Sequence, residues 1–290
     1  MRKLNAKRIT IIIAAVVLIA ALALTHFVFL PRHRYACAYV KQISASSIAN
    51  IDKTILISHR GIAAEAPENT LPAYEIAAKK GFKYAETDIR ATADGVWVLT
   101  HDNSLKRMTG FSGKCENMKL SEVRSYPVIK GANAKNYKNL VTPTFEEYLE
   151  TCVKNGLIPV VEIKTYPEDY KNPPYKDILS SLKKYNVNNA IIISFSHLAL
   201  EQIREYNKNI KMLYLCKTLD DESVSKAEKI GNCGIDCSYK AFAKNPRLAE
   251  RIIADGMPLG VWTIDKKEEA EKAIEAGVKY LTTNAIMPER

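Results

Sequence analysis

From Thr54 onward the chain alternates short apolar runs with stretches of helical periodicity, and no other feature limits its fold so strongly. Eight of the runs have the length and the position between helical stretches that are expected of strands. They cover residues 55–59, 84–88, 158–163, 190–195, 211–215, 233–237, 259–264 and 279–283. Helices are predicted between them, for example over 71–80, 145–154, 197–206 and 266–276. Eight strands with intervening helices over about 235 residues predict a closed parallel TIM (β/α)8 barrel. The alternative, an open doubly wound sheet, lacks a Gly-rich phosphate turn after its first strand.

One segment breaks the alternation, because residues 96–102 follow the second strand with no helix between them. Asp94-Gly95 explains this, since Asp-Gly is a strong signal for a two-residue hairpin turn. The second strand is therefore predicted to run past the barrel rim and fold back antiparallel. A two-residue turn would place Asp88 directly opposite His101, whereas a three-residue loop would shift this register.

The N-terminal part of the chain differs in composition, because residues 9–30 form an apolar run broken only by two threonines and one histidine. At about 1.5 Å rise per residue a helix of this length reaches about 33 Å, enough to span a bilayer. Basic residues at positions 2, 3, 7 and 8 favour a cytoplasmic N-terminus, although Arg32 and Arg34 beyond the run weaken this bias. A cleaved signal peptide is the alternative, but its apolar part is normally about 7 to 15 residues. The sequence thus predicts a single-pass protein of the cell membrane with its main domain outside the cytoplasm.

Three parts are therefore expected along the chain. Residues 1–34 would form a basic tip and a transmembrane signal-anchor, residues 35–53 a tether, and residues 54–290 the barrel. An extra helix packed on the barrel is an equally good interpretation of the tether. Residues of about 103–143 carry Gly, Lys, Asn and Pro without clear periodicity, and are predicted to form an insertion over the rim.

Charge and cysteine content set further limits on partners. The net charge of +10 suits an anionic membrane face or a polyanionic phosphodiester polymer, although solvated surface charge is the simpler explanation. No block of Lys and Arg has a nucleic-acid-binding pattern, so nucleic acid is not an expected partner. All six cysteines follow the apolar run, where disulfides could form. Cys233 and Cys237 lie about 13 Å apart if they share a strand, which favours small core residues over a disulfide. Nothing in the sequence indicates an oligomeric state.

Acidic side chains occupy the ends of two neighbouring predicted strands. Glu86 and Asp88 are two apart, so they face the same side of the second strand, and Glu162 ends the third. The C-terminal ends of the strands form the face where barrel enzymes place their chemistry. Three carboxylates there suit one hard cation, Mg²⁺ or Ca²⁺, better than zinc, which recruits imidazole or thiolate. Without a cation they would repel one another or take up protons. A solvated strand face is the alternative for an isolated Glu-x-Asp.

Histidine and lysine side chains are expected on the same rim. His59 ends the first strand, His101 ends the predicted hairpin, and Lys164 follows Glu162 by two positions. A lone histidine at a strand end is more often a hydrogen-bonded structural residue than a catalyst. The coincidence of these side chains on one rim favours a functional site.

Three further residues have two interpretations each. Glu68 and Asn69 either brace the site or belong to the start of the following helix, which Asn69 or Thr70 could cap. Trp262, near the end of the seventh strand, either lines the pocket or fills the barrel.

The order and spacing of these residues resemble the glycerophosphodiester phosphodiesterases. The match runs from about residue 55 to residue 287 and is densest over residues 59–110. It consists of His59-Arg60-Gly61, Pro67-Glu68-Asn69-Thr70, Glu86-x-Asp88, Thr92-Ala93-Asp94-Gly95, His101-Asp102, Glu162-Ile163-Lys164, Ser194-Phe195 and Trp262-Thr263. Two positions depart from the family pattern. Asp265 stands where the family usually has Asn, and Asn284 stands where it often has Asp; these departures concern local hydrogen bonding rather than the metal site.

The resemblance implies a specific set of roles. It implies a metal held by Glu86, Asp88 and Glu162, general acid and base roles for His59 and His101, and phosphate binding by Arg60 and Lys164. The expected reaction is hydrolysis of a small or lipid-derived glycerophosphodiester to an alcohol and sn-glycerol 3-phosphate, with water or the substrate's own hydroxyl as nucleophile. Lysophospholipids, phosphoinositides and polyglycerol-phosphate wall polymers are alternative substrates. A non-catalytic surface binding module is the alternative from another functional class.

Overall fold

The structure, a computed structural model, describes residues 40–288. The predicted membrane segment at 9–30 lies outside the described residues. Across residues 40–288 every helix is too short or too polar to span a lipid bilayer.

The described chain contains the predicted eight-stranded barrel. Its strands are β1 (Ile43–Ser44), β2 (Ile55–Ser58), β3 (Tyr84–Ala91), β4 (Trp97–Leu99), β5 (Ile158–Ile163), β6 (Ile191–Ser194), β7 (Lys211–Cys216), β8 (Cys233–Ser238), β9 (Leu259–Trp262), β10 (Tyr280–Thr283) and β11 (Ile286–Met287). The parallel strands follow the order β2-β10-β9-β8-β7-β6-β5-β3, and pairing of β2 with β3 closes the sheet. This confirms the TIM barrel prediction.

Helices follow seven of the eight barrel strands and cover the outside of the sheet. They are α1 (Leu71–Lys79), α2 (Lys106–Thr109), α3 (Leu120–Arg124), α4 (Phe145–Asn155), α5 (Tyr175–Lys184), α6 (His197–Tyr206), α7 (Asp221–Ile230), α8 (Tyr239–Lys244), α9 (Pro246–Ala254) and α10 (Lys267–Glu275). Local sequence explains their ends. At the start of α4, for example, Thr144 and Glu147 form a reciprocal capping box, and Gly156 ends the helix in the left-handed conformation.

Two apolar layers hold the barrel together. The larger lies between the outer faces of the strands and the helices. A smaller one fills the interior with Ile57, Val160, Ile191, Ile193, Leu213, Leu215 and Tyr280. The barrel is therefore a packed core rather than a pore, and polar side chains collect at the C-terminal ends of its strands.

The hairpin after β3 forms, but its loop is one residue longer than predicted. The N–H of Thr92 donates to the carbonyl of Val96 and the N–H of Gly95 donates to the carbonyl of Thr92, both at 2.9 Å. Thr92 and Val96 are therefore the last paired residues of the hairpin, and three residues, 93–95, form the loop between them. Gly95 takes a left-handed conformation, with φ of +80°, at the last loop position. Such a conformation is typical of three-residue hairpin loops.

The longer loop changes the register of the hairpin. Asp88 lies opposite Thr100, whose N–H donates to the Asp88 carbonyl at 3.0 Å. The predicted pairing of Asp88 with His101 is therefore wrong by one residue. His101 still lines the same cavity as Glu86, because the chain leaves the strand after Leu99.

The insertion after the hairpin is ordered and packs on it. Residues 103–143 contain α2, α3 and two short 3₁₀ turns. Side chains of the hairpin and the insertion share a small apolar cluster, made of Val98, Leu105, Cys115, Met118 and Val123. The insertion therefore forms a supported wall on the β3 side of the barrel mouth.

The residues that precede the barrel are attached to it. β1 pairs in parallel with β11, with Ile43 opposite Ile286. Two 3₁₀ turns follow, Ala45–Ser47 and Ile51–Lys53, and the side chains of Ala45 and Ile48 are buried. Residues 43–53, which the sequence left open between a tether and a helix, thus form a short packed segment.

The cysteines in the described part of the chain are buried and free: Cys115, Cys152, Cys216, Cys233 and Cys237. Cys233 and Cys237 both lie on β8 and belong to the outer core layer. Their prediction as small core residues is confirmed.

Candidate active site

Three buried carboxylates meet at the mouth of the barrel. β3 carries Glu86 and Asp88, and β5 carries Glu162 directly beside Asp88 in the parallel register. One oxygen of each residue lies within 4.8 Å of the others. The sequence-predicted acidic cluster is therefore assembled by the pairing of two neighbouring strands.

These carboxylates fit the predicted cation. Each has one buried oxygen without a hydrogen-bond partner: Glu86 Oε1, Asp88 Oδ1 and Glu162 Oε1. Burial raises the pKa of Glu86 well above its usual value, and the charges of Asp88 and Glu162 add to the effect. Burial also raises the pKa of Glu162 to about 7. Unpartnered oxygens are unfavourable in a buried site, and an oxygen-only donor set suits Mg²⁺ or Ca²⁺.

Two cations partly balance the acids. The Nζ atom of Lys164 lies 2.6 Å from Glu162 Oε1 and 3.3 Å from Asp88 Oδ1, outside hydrogen-bonding geometry. The Nε atom of Arg60 lies 3.1 Å from Asp88 Oδ2. Burial alone would raise the pKa of Asp88, but the charges of Arg60 and Lys164 outweigh it and hold that pKa well below its usual range.

Backbone geometry after β2 positions Arg60. Arg60 and Gly61 both have positive φ angles, +55° and +78°. A Cβ atom at position 61 would lie 2.7 Å from the backbone of Ala73 in α1, so only glycine fits. The turn directs the backbone N–H of Arg60 to Glu86 Oε2 at 2.9 Å. The His59-Arg60-Gly61 motif therefore shapes the carboxylate cluster with its main chain as well as its side chains.

His59 is hydrogen-bonded to a neutral amide. Its Nδ1 lies 2.8 Å from the side-chain oxygen of Asn284. The backbone N–H and the side-chain NH₂ of Asn284 donate to the two oxygens of Asp265, at 2.7 and 2.9 Å. Because the amide oxygen only accepts, Nδ1 of His59 carries the proton and Nε2 presents a lone pair. Burial and the neighbouring charge of Arg60 lower the pKa of His59 to about 3, so the ring is a neutral base.

His101 is hydrogen-bonded to a carboxylate. Its Nδ1 lies 2.7 Å from Asp102 Oδ1, and the second oxygen of Asp102 accepts from Arg107 Nε at 2.6 Å. Burial opposes ionisation of Asp102, but the hydrogen bonds from His101 and Arg107 outweigh it and lower the pKa of the carboxyl. Because an ionised carboxylate only accepts, Nδ1 of His101 donates to Asp102 and the hydrogen bond fixes the orientation of the ring.

Glu68 joins the two sides of the site. Its carboxylate accepts from Arg60 at 2.8 Å and from both terminal nitrogens of Arg107, at 2.8 and 2.6 Å. Burial alone would raise its pKa, but the two guanidinium groups lower it to about 2. These contacts agree with the interpretation in which Glu68 braces the site, rather than with a role at the start of the following helix.

Asn69 also braces the cluster rather than capping α1. Its side-chain NH₂ donates to Asp88 Oδ2 at 2.8 Å, and its side-chain oxygen accepts from the Asp88 N–H at 3.1 Å. The same oxygen accepts from the hydroxyls of Tyr74 and Thr87. The residue in the capping position is Thr70, whose side chain makes no cap hydrogen bond.

A cavity of about 890 Å³ opens above these groups and is lined by both imidazoles, Glu86 and Glu162. Its other side has an apolar part, where Phe195 and Trp262 make an edge-to-face contact at 5.7 Å between ring centroids. Trp262 thus lines the cavity. The volume is that of a pocket for a small ligand.

Comparison with known proteins agrees with this geometry. The model of the glycerophosphoryl diester phosphodiesterase family matches residues 59–287. The chain belongs to this family. The match confirms the resemblance predicted from the sequence and the enzyme class, a phosphoric diester hydrolase.

Individual relatives cover most of the chain. A glycerophosphodiester phosphodiesterase of Caldanaerobacter subterraneus subsp. tengcongensis is 30% identical over 236 residues, which cover 80% of this chain and 94% of the relative. One of Bacillus subtilis is 26% identical over 264 residues, covering 84% and 89%. Among solved structures, an Oleispira antarctica phosphodiesterase in complex with the product sn-glycerol-3-phosphate has a TM-score of 0.74 at 24% identity, covering 83% of this chain and 96% of that one.

Within this glycerophosphoryl diester phosphodiesterase, sequence reasoning missed three residues at the site. Asp102 directly follows His101 in the His101-Asp102 motif, so its role as a hydrogen-bond partner of His101 could have been predicted. Arg107 lies in the insertion, where no periodicity indicates which side chains turn inward. Asp236 lies on β8 and its signal was present, because it is an acid within a strand predicted to be buried on both faces.

Proposed function

We propose that the protein hydrolyses glycerophosphodiesters to an alcohol and sn-glycerol 3-phosphate with the help of one divalent cation, Mg²⁺ or Ca²⁺. The observation that carries the proposal is the cavity in which two imidazoles accompany a cluster of three carboxylates. The product named in the Oleispira antarctica complex is the one expected here, and that protein has the same fold.

The carboxylates of Glu86, Asp88 and Glu162 would hold the cation. When bound, it supplies neutralisation of phosphoryl charge and orientation of a substrate hydroxyl. Arg60 and Lys164 bind the phosphate oxygens through charge-assisted hydrogen bonds. Both already lie beside the carboxylates, so they bring the phosphate toward the imidazoles.

The two histidines divide the proton transfers. His59 accepts the proton of the nucleophile at Nε2, because its Nδ1–H is donated to Asn284 and its buried ring is neutral. His101 donates a proton from Nε2 to the leaving oxygen, because its Nδ1 is occupied by the hydrogen bond to Asp102. The scheme is the same for water or for the substrate's own hydroxyl as nucleophile.

The test is turnover of glycerophosphocholine by the purified full chain, measured as released glycerol phosphate. We expect activity that is lost with a chelator and restored by Mg²⁺ or Ca²⁺. His101→Ala should abolish it, and His197→Ala, at the start of α6 and away from the cavity lining, should keep it. Normal turnover by the His101→Ala variant would rule out the proposed site.

The alternative substrates are separated by their products. Lysophospholipids, phosphoinositides and polyglycerol-phosphate polymers are offered in parallel, and released glycerol phosphate is compared with released lipid or polymer fragments. A preference of at least tenfold for a lipid or polymer substrate over glycerophosphocholine would replace the proposed substrate while keeping the site.

We also propose that residues 9–30 attach the protein to the cell membrane as a single span, with the barrel outside the cytoplasm. The apolar run and the basic residues before it support this placement. In membrane fractions washed with alkaline carbonate the chain should remain in the pellet, and protease added to intact cells should digest the barrel. A mature N-terminus beyond residue 30 would instead identify a cleaved signal peptide.

A further inference from the structure

A fourth acid, outside the carboxylate cluster, lines the cavity. Asp236 lies on β8, four strands from β3 around the barrel and therefore across it. The residue is 2% exposed, and its Oδ1 atom has no hydrogen-bond partner. A buried, unpartnered carboxyl oxygen beside a ligand-sized cavity is unfavourable unless something fills its hydrogen-bonding capacity.

The surroundings make room for this carboxyl and for a ligand next to it. Asp236 pairs with Gly260 of β9, and a Cβ atom at position 260 would lie 2.7 Å from Asp236 Oδ1. Trp262 donates its indole N–H to the backbone carbonyl of Asp236 at 3.2 Å, which ties the cavity-lining ring to the same strand. The other side chains of this wall include Phe195 and Leu215. The carboxyl thus lies next to the apolar part of a wall that also carries polar side chains, among them Lys217 and Thr218.

The chemistry of the carboxyl selects a kind of ligand. Burial raises the pKa of Asp236 well above its usual value, and the charge of Glu162 adds to this. Its unpartnered Oδ1 accepts a hydrogen bond whether or not the group carries a proton. It therefore suits an alcohol hydroxyl, which donates, better than a phosphate oxygen, which is an anionic acceptor and for which Arg60 and Lys164 are available.

We propose that Asp236 binds a hydroxyl group on the polyol part of the substrate, and so makes the site selective for polyol phosphates over plain alkyl phosphates. This rests on the proposed function only in assuming that a phosphate binds in the same cavity. The apolar side chains of Phe195, Leu215 and Trp262 contact the carbon chain of the polyol. Asp236 contacts its hydroxyl and is the residue that determines specificity.

The experiment measures competitive inhibition and does not depend on turnover of glycerophosphodiesters. The full chain hydrolyses bis(p-nitrophenyl) phosphate as reporter, with sn-glycerol 3-phosphate or n-propyl phosphate as competitor. The unmodified protein should bind glycerol phosphate about tenfold to hundredfold more tightly, since an unpaired buried polar group forfeits about 1 to 3 kcal/mol. Asp236→Leu should bring the ratio close to one, and Asp236→Asn, which still donates and accepts, should keep most of it.

A second variant moves the carboxyl without changing it. Gly260→Ala places a methyl group 2.7 Å from Asp236 Oδ1, which forces the carboxyl to shift, so this variant should also lower the ratio and stands in if Asp236→Leu does not fold. Glu222→Gln is the matched control, because Glu222 lines the same cavity but is exposed and paired with Lys226. The control should leave the ratio unchanged.

An unmodified ratio near one, or an unchanged ratio in both Gly260→Ala and Asp236→Leu, would overturn the proposal and leave Asp236 as a structural acid. A reduction of equal size in Glu222→Gln would overturn it too. If the ratios behave as expected while glycerophosphocholine releases no glycerol phosphate, the proposed function fails and the polyol contact stands.

Discussion

His59 and His101 line the same cavity, yet they are hydrogen-bonded to different kinds of group. His59 meets the neutral amide of Asn284, whereas His101 meets the carboxylate of Asp102. Both partners orient the ring, but only the carboxylate places a negative charge beside it. The comparison shows how two residues of one type have different electrostatic partners within one cavity, which supports the division of roles that we propose.

The two regions also differ in how they are built. His59 directly follows barrel strand β2, and its backbone N–H donates to the carbonyl of Thr283 in the adjacent β10 at 3.0 Å. His101 follows β4, and its support comes from Arg107 in the insertion. The proposed base therefore belongs to the barrel itself, and the proposed acid to the structure built over its rim.

The largest expected effect separates the two histidines by leaving group. Each alanine variant should lose about 10² to 10⁴ in turnover of glycerophosphocholine. With bis(p-nitrophenyl) phosphate, whose leaving group needs no proton, His101→Ala should regain most of its activity and His59→Ala should not. Steady-state rates on both substrates are measured for both variants. Equal losses on the nitrophenyl substrate would remove the division of roles.

Asp102→Asn tests the carboxylate on the acid side. The amide keeps a hydrogen-bond acceptor for His101 but removes the charge, so turnover of glycerophosphocholine should fall about tenfold to hundredfold. The nitrophenyl substrate should be affected less. A fall of the same size on both substrates would mean that Asp102 supports the site's structure rather than the acid, and thermal unfolding of the variant distinguishes the two.

His59→Gln tests the burial of the base through stability. The pKa of His59 is lowered from 6.5 to about 3, so folding excludes a proton that the unfolded chain accepts. Stability is therefore lost as pH falls below 6.5 toward 3, by about 3 kcal/mol at about pH 4.5. The glutamine variant should lack this part of the pH dependence. Denaturant unfolding of both proteins is compared between neutral and acidic pH, and parallel curves would contradict a buried neutral ring.

The smallest expected effect comes from giving His59 a carboxylate partner. Asn284→Asp places a second acid beside Asp265, and one of the two would hold a proton. If the new carboxylate faces His59, the pKa of the ring should rise, and the acidic limb of the pH–rate profile should move up by about one unit. An unmoved limb would mean that this limb does not report His59.

Much of the barrel was predictable, because buried parallel strands leave apolar runs that stop where the polar rim begins. The carboxylate cluster followed from the same logic, since Glu86, Asp88 and Glu162 come at the ends of adjacent strands. The hairpin register could not be predicted, because Asp94-Gly95 occurs in two-residue and in three-residue loops. A difference of one loop residue decides which side chain faces Asp88. The position of Arg107 could not be predicted either, because the direction of its side chain depends on how the insertion packs on the hairpin.

The pairing of Ile43 with Ile286 determines where the chain can be shortened. A truncation that retains Gln42 keeps the last strand covered and leaves Ala45 and Ile48 in place. A truncation that begins at Thr54 would remove β1 and the buried side chains of Ala45 and Ile48, and would expose the apolar surface of the barrel that they cover. A protease that frees this enzyme from its N-terminal segment without harming it must therefore cut ahead of Gln42.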